Sequence, residues 1–142
     1  MTLKTAVIGV GSMGKNHARV YWEMTEADLV GVSDIDPEAA QSIARHYGTQ
    51  AYTDYRKLLD EQKPDAVTIA VPTVHHLDVA LEVIARGIDL LIEKPISFSV
   101  EEGQQIIDAA EGAGVKLFIG HIERFNPAVI ALKAHIANGD LG

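Results

Sequence analysis

The chain has 142 residues, 47% of them hydrophobic and 23% charged, a composition typical of one globular domain with a sizeable core. Its net charge of −8 argues against non-specific nucleic-acid binding, and the absence of cysteine excludes disulfides, thiolate catalysis and cysteine metal sites. No apolar run reaches membrane-spanning length and the N-terminus lacks a signal-peptide pattern, so we expect a cytoplasmic protein without membrane contact.

The N-terminal stretch combines a short apolar run with a glycine pattern. Residues 5–10 read as a buried strand and residues 15–24 as a helix, with G-x-G-x-x-G between them. Gly9 permits a sharp turn, Gly11 lets a ligand approach the backbone, and Gly14 allows the helix to pack close to the strand. By itself, such a pattern can also be a glycine-rich turn that binds nothing.

The residues between the last two glycines, Ser12 and Met13, precede the predicted helix directly. Unpaired N–H groups and the positive end of the helix dipole favour an anion at this point. We therefore predict that the loop binds the pyrophosphate of a dinucleotide. His17, near the start of the same helix, is expected to be a surface histidine.

A second apolar strand, residues 29–33, ends at Asp34, which lies 20 residues after Gly14. A dinucleotide site places a carboxylate at this distance to accept hydrogen bonds from the adenosine ribose hydroxyls. Ile35 supplies no basic partner for a 2′-phosphate, so these residues favour NAD over NADP. Alternatively, Asp34 caps its own loop.

Strands and helices alternate along the rest of the chain, which predicts an α/β protein. The expected architecture is a Rossmann-type doubly wound parallel sheet with helices on both faces. The further predicted elements are helix 36–47, strand 50–52, helix 53–61, strand 66–71, helix 77–86, strand 89–92, helix 99–111, strand 116–120 and helix 128–137.

Polar residues follow three of the later strands, where open α/β sheets bind ligands. These segments are residues 72–76, the tripeptide Glu93-Lys94-Pro95, and residues 121–126. His75 and His76 have no carboxylate at metal-ligand spacing, so we predict no metal site.

With these motifs in place, the sequence resembles the glucose–fructose oxidoreductase and inositol dehydrogenase (Gfo/Idh/MocA) family over nearly its whole length. The matching features are residues 9–14, Asp34, Pro72 with His76 four residues on, Glu93-Lys94-Pro95, and Arg124-Phe125-Asn126-Pro127. The resemblance implies an NAD-dependent dehydrogenase acting on a sugar or cyclitol alcohol. Residues 120–127 look most like members that oxidise the C3 hydroxyl of nucleotide-linked amino sugars.

The resemblance also implies roles for individual residues. Lys94 would be the catalytic residue, contacting both cofactor and substrate at the reacting carbinol, and Glu93 would lie near the nicotinamide ribose. Pro72 and His76 would line the cofactor, and Arg124 would lie near the substrate. Two of these positions have a structural alternative: Lys94 as a surface lysine, and Arg124 as an ion-pair partner of Glu123 or Asp140.

Family members are more than twice as long and carry a second domain that holds the substrate. We therefore expect residues 1–122 to form the NAD-binding domain and residues 123–142 to lead into a substrate domain absent from this chain. An apolar surface around Ile122, Phe125 and the last helix would favour a homo-oligomer. Two other functions remain open: a non-catalytic NAD-binding sensor or interaction module, and a methyltransferase.

Overall fold

The computed structural model describes residues 2–141. Six strands alternate with six α-helices, and two 3-10 helices, Thr73–His75 and Ile122–Phe125, precede the fourth and the sixth α-helix. In chain order the elements are β1 (Leu3–Ile8), α1 (Gly14–Glu23), β2 (Ala27–Ser33), α2 (Pro37–Tyr47), β3 (Gln50–Tyr52), α3 (Tyr55–Gln62), β4 (Ala66–Ile69), α4 (His76–Ile84), β5 (Asp89–Ile92), α5 (Val100–Ala113), β6 (Leu117–Ile119) and α6 (Pro127–Ala137).

The strands form one sheet in the order β3-β2-β1-β4-β5-β6, and every neighbouring pair is parallel. From β1 the chain winds outward to β3, returns to the centre at β4, and winds outward the other way. The direction therefore reverses between β1 and β4, and a crevice opens beyond the carboxyl ends of the strands at such a point. The predicted doubly wound parallel fold is confirmed.

Successive residues of the central strand β1 face opposite sides of the sheet, as a strand requires. Ala6 and Ile8 pack into a core covered by α3, α4 and α5, whereas Val7 packs under α1 and α2. On the α1 side, the Tyr21 hydroxyl lies 2.7 Å from the hydroxyl of Thr68, a buried residue of β4. Helices on both faces, as predicted, leave the carboxyl edge of the sheet free for ligands.

The strand that precedes the glycine pattern is displaced from its predicted position. The sequence predicts residues 5–10, but β1 spans Leu3–Ile8. The reason is the backbone of Gly9, which turns away from the strand direction with φ of 85°. The ladder therefore ends at Ile8, and Gly9 already belongs to the loop.

The C-terminal part of the chain packs differently from the rest. In residues 121–141 every described residue except Asn126 is exposed, and α6 contributes no buried residue.

As for membrane contact, each helix within residues 2–141 is too short or too polar to traverse a bilayer.

Candidate functional site

A cleft of about 730 Å³ lies at the carboxyl edge of the sheet, where the loops after β1, β2, β4 and β5 meet. Those loops come from strands on both sides of the reversal between β1 and β4. Most residues predicted to bind the cofactor line it: Gly9, Gly11, Ser12, Met13, Asp34, Ile35, Pro72, His76, Glu93 and Lys94.

The three glycines of the loop have different surroundings. A Cβ on Gly9 would lie 2.7 Å from the Ala70 carbonyl oxygen, and one on Gly14 would overlap the carbonyl oxygen of Gly9. Both positions therefore require the absence of a side chain. A Cβ on Gly11, by contrast, would have no neighbour within 4 Å, since this glycine faces the open cleft.

The main chain of the same loop offers donors to an anion. Lys15 and His17 already donate their N–H groups to the carbonyl oxygens of Gly11 and Met13. Within residues 2–141, the N–H groups of Ser12 and Met13 have no protein acceptor. They lie at the positive end of the α1 dipole, so this loop fits a pyrophosphate group.

Asp34 joins the second strand to the glycine loop. Its Oδ2 accepts from the Val10 N–H at 2.8 Å and its Oδ1 from the Asp36 N–H at 3.0 Å. The cap within its own loop, which the sequence left as an alternative, therefore exists beside the contact to the glycine loop. A carboxylate has about four acceptor positions, so Asp34 keeps acceptor capacity for ribose hydroxyls in the cleft.

One wall of the cleft was missed from the sequence: the first turn of α3, with Tyr55 and Arg56. The Arg56 guanidinium lies 4.7 Å from the centre of the Tyr55 ring, and its Nε donates to Glu82 at 3.1 Å. Burial raises the pKa of the Tyr55 phenol, and the neighbouring guanidinium partly offsets this. The sequence did carry one signal for this wall of the cleft: α3 follows β3, and the carboxyl end of β3 lies at the same edge of the sheet as those of the other strands.

At the far end of the cleft, Glu93 is buried with 6% exposure, while the next residue, Lys94, is exposed and lines the cleft. Burying an unpaired carboxylate is costly, so Glu93 requires donors. One is His17, whose Nε2 lies 2.7 Å from Glu93 Oε1. The expectation of a surface histidine was wrong: the His17 side chain is only 18% exposed.

His76 borders the cleft, but both nitrogens of its ring contact backbone carbonyl groups of the protein. The side chain is 1% exposed, its Nδ1 lies 3.0 Å from the Pro95 carbonyl oxygen, and its Nε2 lies 3.0 Å from that of Val71. Both nitrogens thus face acceptors in the loops after β4 and β5. His76 therefore ties those two loops together, and Pro72, which is exposed, lines the same cleft.

Arg124 lies away from this cleft. It is exposed on the second 3-10 helix and is not among the lining residues. Among the described residues, Arg124 forms no ion pair with either predicted partner: Glu123 accepts from Asn126, and Asp140 pairs with His135. The described chain also holds no group of three histidine or acidic residues that could bind a metal ion.

The fold and the cleft together define a Rossmann-type dinucleotide-binding domain. The strand order, the glycine loop at the start of α1 and the carboxylate after β2 are its distinguishing features. The model of the oxidoreductase family with an NAD-binding Rossmann fold matches residues 3–121, and the chain belongs to that family. This favours the oxidoreductase hypothesis over a methyltransferase.

Named relatives support the same assignment. The chain is 37% identical to UDP-N-acetylglucosamine 3-dehydrogenase of Acidithiobacillus ferrooxidans, over 92% of this chain and 41% of the relative. It is 35% identical to inositol 2-dehydrogenase 4 of Saccharopolyspora erythraea, over 99% of this chain and 42% of the relative. The chain thus spans well under half the length of these relatives.

A solved structure is similar over the whole chain. The WlbA dehydrogenase from Bordetella pertussis, in complex with NADH and UDP-GlcNAcA, matches with a TM-score of 0.93 and 29% identity. The match covers 100% of this chain and 43% of that one.

Proposed function

We propose that the protein is the cofactor-binding half of an NAD-dependent dehydrogenase that acts on a secondary alcohol of a sugar, cyclitol or nucleotide sugar. The observation that carries the proposal is one cleft bordered by the glycine loop, Asp34 and Lys94. Names of the relatives support the substrate class, since they include a nucleotide-sugar 3-dehydrogenase and an inositol 2-dehydrogenase.

In this proposal each part of the cleft has a separate task. The N–H groups of Ser12 and Met13 bind the pyrophosphate, and Gly11 leaves room for it. Asp34 accepts hydrogen bonds from the adenosine ribose, and its charge disfavours a 2′-phosphate. Ile35 is 93% exposed at the cleft and covers the adenine end.

At the other end, Lys94 is the group assigned to the proton of the substrate hydroxyl. NAD, when bound, supplies the acceptor for the hydride. Lys94 extends from a buried, paired residue, so its backbone is held while its side chain reaches into the cleft. Acid–base groups of this kind contribute about 10²–10⁴-fold to the rate.

Arg124 and the apolar residues near it are assigned to the substrate side and to protein contacts. Phe125 is 81% exposed and Ile122 is 61% exposed, and α6 continues this apolar surface. We propose that the surface packs against a substrate domain like the unmatched part of the longer relatives. In the 142-residue chain by itself, the same surface favours a homodimer.

Calorimetric titration of the 142-residue chain with NAD and with NADP tests the cofactor assignment, beside an assay for sugar-dependent NADH formation. We expect NAD to bind more tightly than NADP and turnover to be absent. A folded chain that binds neither dinucleotide would contradict the proposal. As the control, Lys94→Ala should bind ADP-ribose, which lacks the nicotinamide, with wild-type affinity, because Lys94 lies away from the adenosine and pyrophosphate sites.

A further inference from the structure

The pair formed by His17 and Glu93 connects two parts of the cleft that are far apart in sequence. His17 lies in the first turn of α1, three residues after Gly14, and its Nε2 is 2.7 Å from Glu93 Oε1. The two side chains are 18% and 8% exposed. An ionised carboxylate only accepts hydrogen bonds, so His17 is the donor.

The second oxygen of the same carboxylate holds the residue that follows it. Glu93 Oε2 accepts from the Lys94 main-chain N–H at 3.2 Å. Behind the carboxylate lies Gly120, at the end of β6, where a Cβ would sit 3.0–3.1 Å from three atoms of the carboxyl group. The carboxylate is therefore enclosed by α1, by its own loop and by the end of β6.

The chain beyond Lys94 is held from another direction. His76 on α4 contacts the carbonyl oxygens of Pro95 and Ile96 at 3.0 and 3.2 Å. Lys94 is thus an exposed residue between two anchored neighbours. The contacts of His17 with Glu93 and of His76 with Pro95 therefore lie on either side of Lys94.

We propose that His17 is a positioning residue that sets the location of Lys94 through the Glu93 carboxylate. The helix whose N-terminus faces the pyrophosphate site is thereby joined to the loop that carries the proposed proton-transfer group. The inference rests on the proposed function for the role of Lys94, whereas the link itself is a property of the folded chain. His17 and the Lys94 N–H bind the two oxygens of the same Glu93 carboxylate, so hydrogen bonds connect α1 with the loop that carries Lys94. A shift of α1 therefore displaces Lys94.

Amide hydrogen exchange of the 142-residue chain tests the link through two matched variants. In H17L the donor is lost at similar side-chain volume, and the Lys94 amide should exchange faster by about tenfold or more, the scale of one lost hydrogen bond to a charged group. In H17Q the introduced side-chain amide donates to Glu93 again, and exchange should return close to wild type. Core amides of Ala6 and Val67 report global stability in the same spectra.

A third variant perturbs the Glu93 carboxylate while His17 is intact, and it replaces H17L in the exchange measurement if H17L does not fold. Gly120→Ala introduces a methyl group against the Glu93 carboxyl, so it should speed Lys94 exchange as H17L does. Unchanged Lys94 exchange in H17L, or in G120A if H17L does not fold, would overturn the proposal. Equal acceleration at Lys94, Ala6 and Val67 would also overturn it, since the pair would then serve only global stability.

Titration with NAD and with ADP-ribose separates this inference from the proposed function. ADP-ribose keeps the adenosine and pyrophosphate but lacks the nicotinamide that lies nearest Lys94 in the proposed complex. We expect H17L to weaken NAD more than ADP-ribose, and H17Q to restore the ratio. If the wild-type chain binds neither molecule, the proposed function fails, while the exchange measurement still decides whether His17 holds Lys94.

Discussion

The cofactor cleft and the C-terminal segment, residues 121–141, are built in opposite ways. Around the cleft, the buried polar groups of Glu93 and His76 have partners before any ligand arrives, and the half-buried carboxylate of Asp34 also has its donors. In the C-terminal segment, apolar side chains such as Phe125 and Ile130 are exposed and pack against little. The first region is thus organised to receive a small molecule, whereas the second leaves apolar side chains in solvent.

Helices α2 and α6 make this contrast specific. Both have 11 residues, both begin with an Asx–Pro pair, and in both the cap side chain accepts from the second helical N–H. Yet α2 buries Ala40 and Ala44, whereas α6 buries nothing. Local sequence therefore determines that a helix forms, and the presence of a neighbouring surface determines whether it is buried.

The largest expected effect comes from Gly14→Ala, which tests how tightly the cleft side is built. The new methyl group would overlap the carbonyl oxygen of Gly9, so the free energy of unfolding should fall by about 3 kcal/mol. Urea unfolding followed by circular dichroism measures it. Gly112→Ala in α5, where the methyl group meets open space, is the control and should not destabilise. Wild-type stability of G14A would show that the loop adapts.

Gly11→Val separates ligand approach from folding. A Cβ added at Gly11 would meet no atom within 4 Å, and the backbone there has no left-handed φ, so the chain should fold normally. The branched side chain would occupy the pyrophosphate position, and NAD affinity should fall about tenfold or more, or about 1.4 kcal/mol per factor of ten. Calorimetry measures the affinity. Unchanged affinity in a folded variant would mean that the dinucleotide lies elsewhere.

Asp34→Ala should narrow the preference for NAD over NADP. It removes both the ribose acceptor and the negative charge, so NAD should weaken by about tenfold, as expected for a lost charge-assisted hydrogen bond, and NADP by less. The matched control is Asp36→Ala, which loses a helix cap at Glu38 N–H but lies outside the cleft lining. It should cost about 1 kcal/mol of stability and leave the NAD-to-NADP ratio unchanged. An unaltered ratio in D34A would contradict the assignment.

The smallest effect on stability is expected in the C-terminal segment. Ile130 is 54% exposed, so Ile130→Glu should change the free energy of unfolding by no more than about 0.5 kcal/mol. Self-association, followed by sedimentation velocity, should decrease, and NAD affinity should not change. Val100→Glu, at an exposed position on α5, is the control and should leave association as it is. Loss of NAD binding in I130E would mean that the two regions are coupled.

Much of the fold could be predicted because its signals are local. Apolar runs, the Asp36 and Ser99 caps, and the left-handed glycines Gly48 and Gly114 each mark an element within a few residues. The ends of β1 and β4 were predicted two residues too far. The chain turns at Gly9, where a Cβ would clash with Ala70 just beyond β4, and no local pattern reveals this proximity between distant parts of the chain.

The partners within the site could not be predicted in the same way. His17 and Glu93 are separated by 76 residues, and no local pattern connects them. In retrospect, His17 lies on the same face of α1 as the buried Gly14, which points it toward the sheet. The contacts of His76 with Val71 and Pro95 likewise depend on two loops that meet only after folding. The roles of Lys94 and Arg124, which were inferred from the family resemblance, stay predictions.

The central position of β1 has a consequence for the order of events during synthesis. Its first partner, β2, follows directly after α1, but its second partner, β4, begins only at Ala66. The Lys4 N–H likewise donates to the carboxylate of Asp65, 61 positions later in the chain. Until Ala66 leaves the ribosome, β1 is an open sheet edge that includes the apolar residues Ala6, Val7 and Ile8. Open apolar edges pair readily with other chains, so a nascent chain stalled before Ala66 should be the species most prone to aggregation and most dependent on chaperones.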